Sequence, residues 1–294
     1  MALAVQFDPR LADLTTLRLG GQARALASVA DERDLDELPA LIERESGAPF
    51  ALGRGSNLLA ADHDLPLVLV SAALAGEPKL VLDDDRRAVL RVQAGLSLPG
   101  LLRRLKQAGY SGLERLAGIP GSLGGAVAMN AGSYGADMAG AVSRVRLWTP
   151  GRGAFWREAA ECAFGYRRFD PLLGGEFWLV LGAELALGRS TPAAVGALMA
   201  ETYGKKKRTQ PVTAKSAGCV FKNPQGESAG RLLDLAGFKG RRLGGMAFSE
   251  LHANFLVNLG RGTAAEALEL LALARAGVKA RFDVDLETEV VILT

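Results

Sequence analysis

Cysteine and histidine are scarce: the 294 residues include two cysteines, Cys162 and Cys219, and two histidines, His63 and His252. No C-x-x-C pair and no closely spaced histidines occur, which excludes a zinc knuckle, a thioredoxin-like motif and a local metal site. So few thiols also exclude a disulfide-stapled secreted scaffold. Tryptophan and tyrosine are few, at three and four, and the net charge is only +3. A nucleic-acid binder is expected to show a stronger basic stripe with interleaved aromatics, so no nucleic-acid partner is expected. No apolar run approaches the roughly 20 residues that span a bilayer, so no membrane insertion is expected. The N-terminal MALAVQFDPR lacks the basic and apolar regions of a signal peptide, and a cytoplasmic location is expected. A glycine fingerprint opening a helix after a strand is missing too, which argues against a Rossmann unit.

What the chain has is glycine in loops. Gly112–Gly135 reads GLERLAGIPGSLGGAVAMNAGSYG, with seven glycines and no charged residue after Arg115. Glycine loses the most backbone freedom on folding, so such density calls for a reason. One reading is a tight buried turn system. The other is a loop whose main-chain N–H groups, at Gly121, Gly124 and Gly125, approach diphosphate oxygens closely. A second glycine loop, LGRGSNLL at Leu52–Leu59, follows an apolar lead-in.

Apolar spacing predicts a helix in Asp31–Gly47 and an amphipathic one in Ser97–Gly109, with Leu98, Leu101, Leu102 and Leu105 on one face. Pro49–Leu52 and Leu65–Val70 read as strands, and Lys79–Leu82 with Ala88–Gln93 as a hairpin. Val142–Thr149 and Phe177–Leu187 read as further strands, and Thr191–Pro192 opens a new helix. The last hundred residues mix helices (Glu227–Ala236, Thr263–Phe282) with strands (Ala253–Asn258, Leu286–Leu293). The expected division is 1–190, in lobes of about 1–72 and 73–190, and 191–294.

Six further segments complete a pattern: TTLRLGG at Thr15–Gly21, FGYR at Phe164–Arg167, SAGCVFKNP at Ser216–Pro224, SELHANFLVN at Ser249–Asn258, LETEV at Leu286–Val290, and the GIPGSLGGAVAMNAGSYG core of the long glycine stretch. With the GRGSN loop they resemble, in order and over nearly the whole chain, the UDP-N-acetylenolpyruvoylglucosamine reductases, in their compact type II form. The resemblance implies an α+β FAD-binding fold of the vanillyl-alcohol oxidase type, with two flavin lobes and a C-terminal α/β substrate lobe. It implies noncovalent FAD, NADPH as reductant, and UDP-N-acetylglucosamine enolpyruvate as substrate. A monomer is expected.

The resemblance assigns cofactor contacts to Gly53, Arg54, Gly55, Ser56, Asn57 and Leu58, and to Gly118, Ile119, Pro120, Gly121, Ser122, Gly124, Gly125, Asn130, Ala131 and Gly132. Relatives carry glycine where Arg54 stands; its charge either helps neutralise the diphosphate or faces solvent. Arg167 and Glu289 would stabilise the substrate carboxylate as it gains enolate character, after hydride reaches C3 from reduced FAD. Cys219 stands where many relatives have serine and would give the proton to C2; by itself it reads equally as a small buried hydrophobe. Strand alternation puts Glu287 and Glu289 on one face, and only the resemblance separates them. Lys207, Asn223, Ser249 and His252 are implied substrate contacts, although the run Lys205–Arg208 also suits a helix C-terminus. Two alternatives stay open: a flavin-dependent alcohol oxidase of the same fold with flavin tethered through His63, and a non-catalytic nucleotide- or RNA-binding module.

Overall fold

The computed structural model describes residues 3–294. Two units share the chain: one comprises the described residues up to Phe7, Arg24–Arg54 and Pro66–Gly204, the other Asp8–Ala23, Gly55–Leu65 and Lys205–Thr294. This differs from the contiguous halves 1–190 and 191–294 read from sequence. Two N-terminal segments belong with the C-terminal unit, and the division falls inside the helix Pro192–Thr209. Proline-192 opens that helix at the expected place, but composition cannot report which distant segments share a core.

The first unit holds two larger sheets. One orders its strands Ala4–Phe7, Ala23–Val29, Leu65–Ala72 and Ala48–Ala51, the last pair parallel. Its core is Ala25, Ala27, Val29, Val68 and Val70 under Leu35, Leu38 and Leu41. The expected helix at 31–47 is divided: a 3-10 turn Glu32–Asp36, boxed by Asp31 and Asp34, precedes helix Leu38–Glu45, in which Pro39 takes a first-turn position.

The other sheet runs Gly153–Glu158, Val142–Thr149, Leu179–Arg189, Arg87–Gln93, Lys79–Asp83. All these pairings are antiparallel, and the hairpin read from sequence is present. Helix Leu98–Ala108 covers this sheet with the leucine face expected of it. Ser97 caps its start, and Gly109 (φ 70°) ends it in the left-handed conformation that favours glycine.

In the second unit, Ser216–Cys219, Phe255–Asn258, Met246–Phe248 and Arg242–Leu243 form an antiparallel sheet in that order. Helices Ala229–Leu235 and Ala264–Phe282 share its core with Phe221, Phe238 and Phe248. Thr263 and Glu266 box the start of the long helix, which begins where the sequence predicts. The expected strand 286–293 is shorter. Only Val291–Leu293 forms a strand, parallel to Leu58–Ala60, and Thr288 makes an isolated bridge to Phe221. No helix among the described residues is long and apolar enough to cross a membrane.

Candidate active site

The two glycine loops meet in the first unit. Gly53 lies against Ser122 and Gly125: a Cβ built on Gly53 falls 3.4 Å from Ser122 Oγ, and one built on Gly125 falls 3.9 Å from the Gly53 Cα. Around this seam a cleft is lined by Ala51, Leu52, Gly53, Ala72, Ala94, Ser122, Gly124, Gly125, Ala128 and Trp178–Val180. Seven of these residues are glycine or alanine, so ligand atoms can come close to main chain. That wall fits a bound dinucleotide such as FAD.

The glycines do different work, and one expectation needs correcting. The Gly124 N–H donates to Ala94 O at 2.9 Å instead of facing a ligand, and a Cβ on Gly124 would fall 2.9 Å from the Ala94 Cβ. The Gly125 N–H meets the capping Ser122 Oγ at 3.4 Å. Gly118 and Gly121 take positive φ, 85° and 123°, which favours glycine whatever the loop binds. Gly132 is required by its own hairpin, since a Cβ there would fall 2.5 Å from Ala136 O. The Asn130 side chain is spent on the protein: Nδ2 donates to Gly165 O at 2.9 Å and to Asp137 Oδ2 at 3.2 Å, and Oδ1 accepts from the Ala139 N–H at 2.9 Å. Ile119, Pro120 and Ala131 lie in the same stretch without lining the cleft.

Those bonds lead to Arg167. Ala163–Gly165 and Arg168–Asp170 form a hairpin with Tyr166–Arg167 at its turn, where Arg167 takes φ 55°. Its Nη2 donates to Gly132 O at 2.7 Å, and its guanidinium lies 5.0 Å from the exposed Tyr166 ring. The tertiary fold thus mounts the arginine on the end of the glycine stretch, a link that spacing does not disclose.

The first glycine loop divides after the exposed Arg54. Gly55–Leu58 belongs to the second unit, where Gly55 (φ 61°) packs against the Leu14 carbonyl so closely that no Cβ fits. Here the second cluster forms. The segment Cys219–Lys222 lies beside Glu287–Val290: the Glu289 N–H donates to Val220 O and the Lys222 N–H to Glu287 O, both at 2.8 Å. Asn57 Nδ2 donates to Glu289 O at 3.0 Å, and Ser56 precedes it, half-buried. Cys219 and Glu289, 70 residues apart, are therefore carried on adjacent stretches of backbone. The two glutamates separate: Glu287, 72% exposed, pairs with Lys222 at 2.5 Å, whereas Glu289 is half-buried. They do not share a regular strand, so the alternation read from sequence does not apply.

One positioning residue escapes sequence reasoning. Asn254, 2% exposed, accepts the Phe221 N–H through Oδ1 at 3.0 Å, donates from Nδ2 to Phe221 O at 2.7 Å, and takes the Val220 N–H on its own carbonyl at 2.9 Å. It replaces ladder bonds where the strand pairing shifts between Ser216 and Cys219, next to Gly218 at φ 82°. The available signal was an asparagine inside an apolar strand pattern. Ser249 and His252 lie in the turn before it. Ser249 Oγ accepts the Leu251 N–H at 3.1 Å, and His252 Nδ1 accepts the Asn254 N–H at 3.2 Å. The His252 ring meets Phe255 edge-on at 5.0 Å, and burial, with Lys239 nearby, lowers its pKa below the usual 6.5. Asn223 Oδ1 accepts the Ala229 N–H at 3.0 Å, opening the helix there. Lys207 is exposed in the last turn of its helix, while its neighbour Lys206 is buried.

Comparison with known proteins decides what these clusters belong to. Residues 210–293 match the C-terminal domain of UDP-N-acetylenolpyruvoylglucosamine reductase, and residues 23–156 match an FAD binding domain. A reductase of that name from Nitratidesulfovibrio vulgaris is 50% identical over 99% of both chains. The chain belongs to the UDP-N-acetylenolpyruvoylglucosamine reductase family. A relative from Bacillus licheniformis is 35% identical over 96% of this chain and 92% of its own. The crystal structure of the Thermus caldophilus reductase superposes with a TM-score of 0.81 at 37% identity, covering 99% of this chain and 100% of that one. The fold is therefore the α+β FAD-binding fold of that family with its C-terminal domain. The chain is an oxidoreductase and flavoprotein of peptidoglycan synthesis, with FAD as cofactor.

Proposed function

We propose that the chain reduces UDP-N-acetylglucosamine enolpyruvate to UDP-N-acetylmuramate with NADPH, using Arg167, Glu289 and Cys219 as its reacting groups. When bound, FAD supplies the redox chemistry, accepting reducing equivalents from NADPH and passing them to the vinyl C3. Every other requirement falls on the chain. Arg167 binds the substrate carboxylate through its forked guanidinium, which suits two parallel hydrogen bonds. Glu289, as the protonated acid, donates a hydrogen bond to the same carboxylate as negative charge builds there, so both groups act mainly on the transition state. Cys219 gives its thiol proton to C2 as general acid. Lys207, Asn223, Ser249 and His252 hold the nucleotide-sugar. The reaction belongs in the cytoplasm, where nucleotide-activated sugars are made, and the enzyme works there as a monomer.

The observation supporting this reading is the Glu289 N–H to Val220 O bond, 2.8 Å, which ties the carboxylate-binding acid to the residue that follows the proton donor Cys219. Isotopic labelling tests it. Turnover in deuterated water should place solvent deuterium at C2 and the NADPH-derived hydrogen at C3. Arg167→Ala and Glu289→Gln should slow reoxidation by the enolpyruvyl substrate, while reduction by NADPH is largely kept. Damage confined to reduction by NADPH would contradict both assignments.

A further inference from the structure

Trp178 is the only aromatic among the described residues lining the cleft. Its ring meets Phe169 edge-on, with centroids 5.5 Å apart and planes at 85°. Phe169 is buried and meets Phe164 at 4.8 Å. Phe164 and Phe169 are directly opposed across the hairpin whose turn carries Arg167. Three rings thus run without a break from the cleft wall to the base of that turn. The hairpin is also tied from the other side, since Gly165 O accepts from Asn130 and Arg167 donates to Gly132 O. Asn130 and Gly132 directly follow the helix Leu123–Ala128, which supplies Gly124, Gly125 and Ala128 to the same cleft.

We propose that Trp178 is a cofactor-facing positioning residue: its indole contacts FAD in the cleft and, through Phe169 and Phe164, sets the hairpin that carries Arg167. This rests on the reading that the cleft holds FAD and that Arg167 holds the substrate carboxylate. Close-packed interiors transmit displacement because they lack free volume to absorb it. An indole covered by ligand on one side and by Phe169 on the other loses freedom, and the hairpin resting on Phe169 loses it too.

The hairpin carries its own reporter, since Arg167 and Arg168 are adjacent tryptic sites. In the full-length protein, FAD should slow cleavage after these two residues by roughly 2- to 10-fold, the range that one ring contact gives to local opening. FAD-saturated Trp178→Ala should lose that protection and show a raised KM for the enolpyruvyl substrate. Trp178→Phe should restore protection. Phe169→Leu, which leaves the cleft wall intact, should lose it while FAD still quenches tryptophan emission as in wild type. That quenching should be smaller in Trp178→Phe. Full protection in FAD-saturated Trp178→Ala or in Phe169→Leu, or equal quenching in wild type and Trp178→Phe, would overturn the proposal. A wild-type protein that takes up no FAD would instead overturn the cofactor reading on which it rests.

Discussion

At the scale of the residue, Cys219 carries the sharpest prediction. It ends a strand at a shifted register, and the backbone of the next residue, Val220, accepts the Glu289 N–H. Replacing the thiol should therefore leave the local backbone intact. Cys219→Ser keeps a proton donor of similar reach and should retain much of the activity. Cys219→Ala should lose turnover on the order of 10²–10⁴-fold, the usual worth of general acid catalysis, with reduction by NADPH preserved. A fully active Cys219→Ala enzyme would leave Cys219 as a packing residue. Lys222 is a poor substitute acid, because it is engaged with Glu287. His252 carries a pH prediction. Burial holds its folded pKa below the unfolded value near 6.5, so the unfolded chain takes up the proton first as pH falls. Stability from this residue is complete above that value and declines as pH drops below it. Urea midpoints measured at about pH 7.5 and about pH 5.5 should differ less in His252→Gln than in wild type; an unchanged difference would remove His252 as the cause.

At the scale of the element, the glycine loop separates two roles that look alike in sequence. A side chain at Gly124 collides with Ala94, so a β-branched residue there disturbs the fold itself. A side chain at Gly125 meets protein only at 3.6 Å and 3.9 Å, ordinary contact distances, yet projects into the seam facing Gly53. Gly125→Val should thus weaken FAD binding with little loss of apoprotein stability, whereas Gly124→Val should lower both. Titrating stripped protein with FAD and melting it without FAD tells the cases apart. Equal FAD affinity in Gly125→Val and wild type would count against the loop as cofactor wall. The Asn254 clamp teaches a similar lesson: a buried amide that binds both backbone groups of Phe221 does the work of a strand where regular pairing stops.

For the whole molecule, the first glycine loop contributes residues to both units, Gly53 and Arg54 to one and Gly55–Leu58 to the other. Neither unit is a continuous length of chain, so neither is expected to be excised by a single cut near residue 190. The motif loops bring no histidine to the cleft wall, and the cofactor is expected to be held without a covalent bond. Boiled and filtered protein should release yellow FAD into the filtrate. Retention of the flavin by the denatured chain would point to a covalent tether, and so to the oxidase alternative.

The family and the FAD-binding fold were legible because motif loops are local: GIPGSLGG, FGYR and SAGCVFKNP each constrain a few consecutive backbones, and their order along the chain is itself information. Helix limits were legible for the same reason at Ser97–Gly109 and Thr263–Phe282, where caps and leucine spacing lie within one element. Only the tertiary structure decided which glycine faces a cleft and which faces Ala94, which of Glu287 and Glu289 is drawn beside Cys219, and that Thr15–Gly21 shares a core with the C-terminal helices. These depend on pairings across tens to hundreds of residues. Such contacts are set by how surfaces fit once the chain has folded, and neither spacing nor propensity within a segment encodes them.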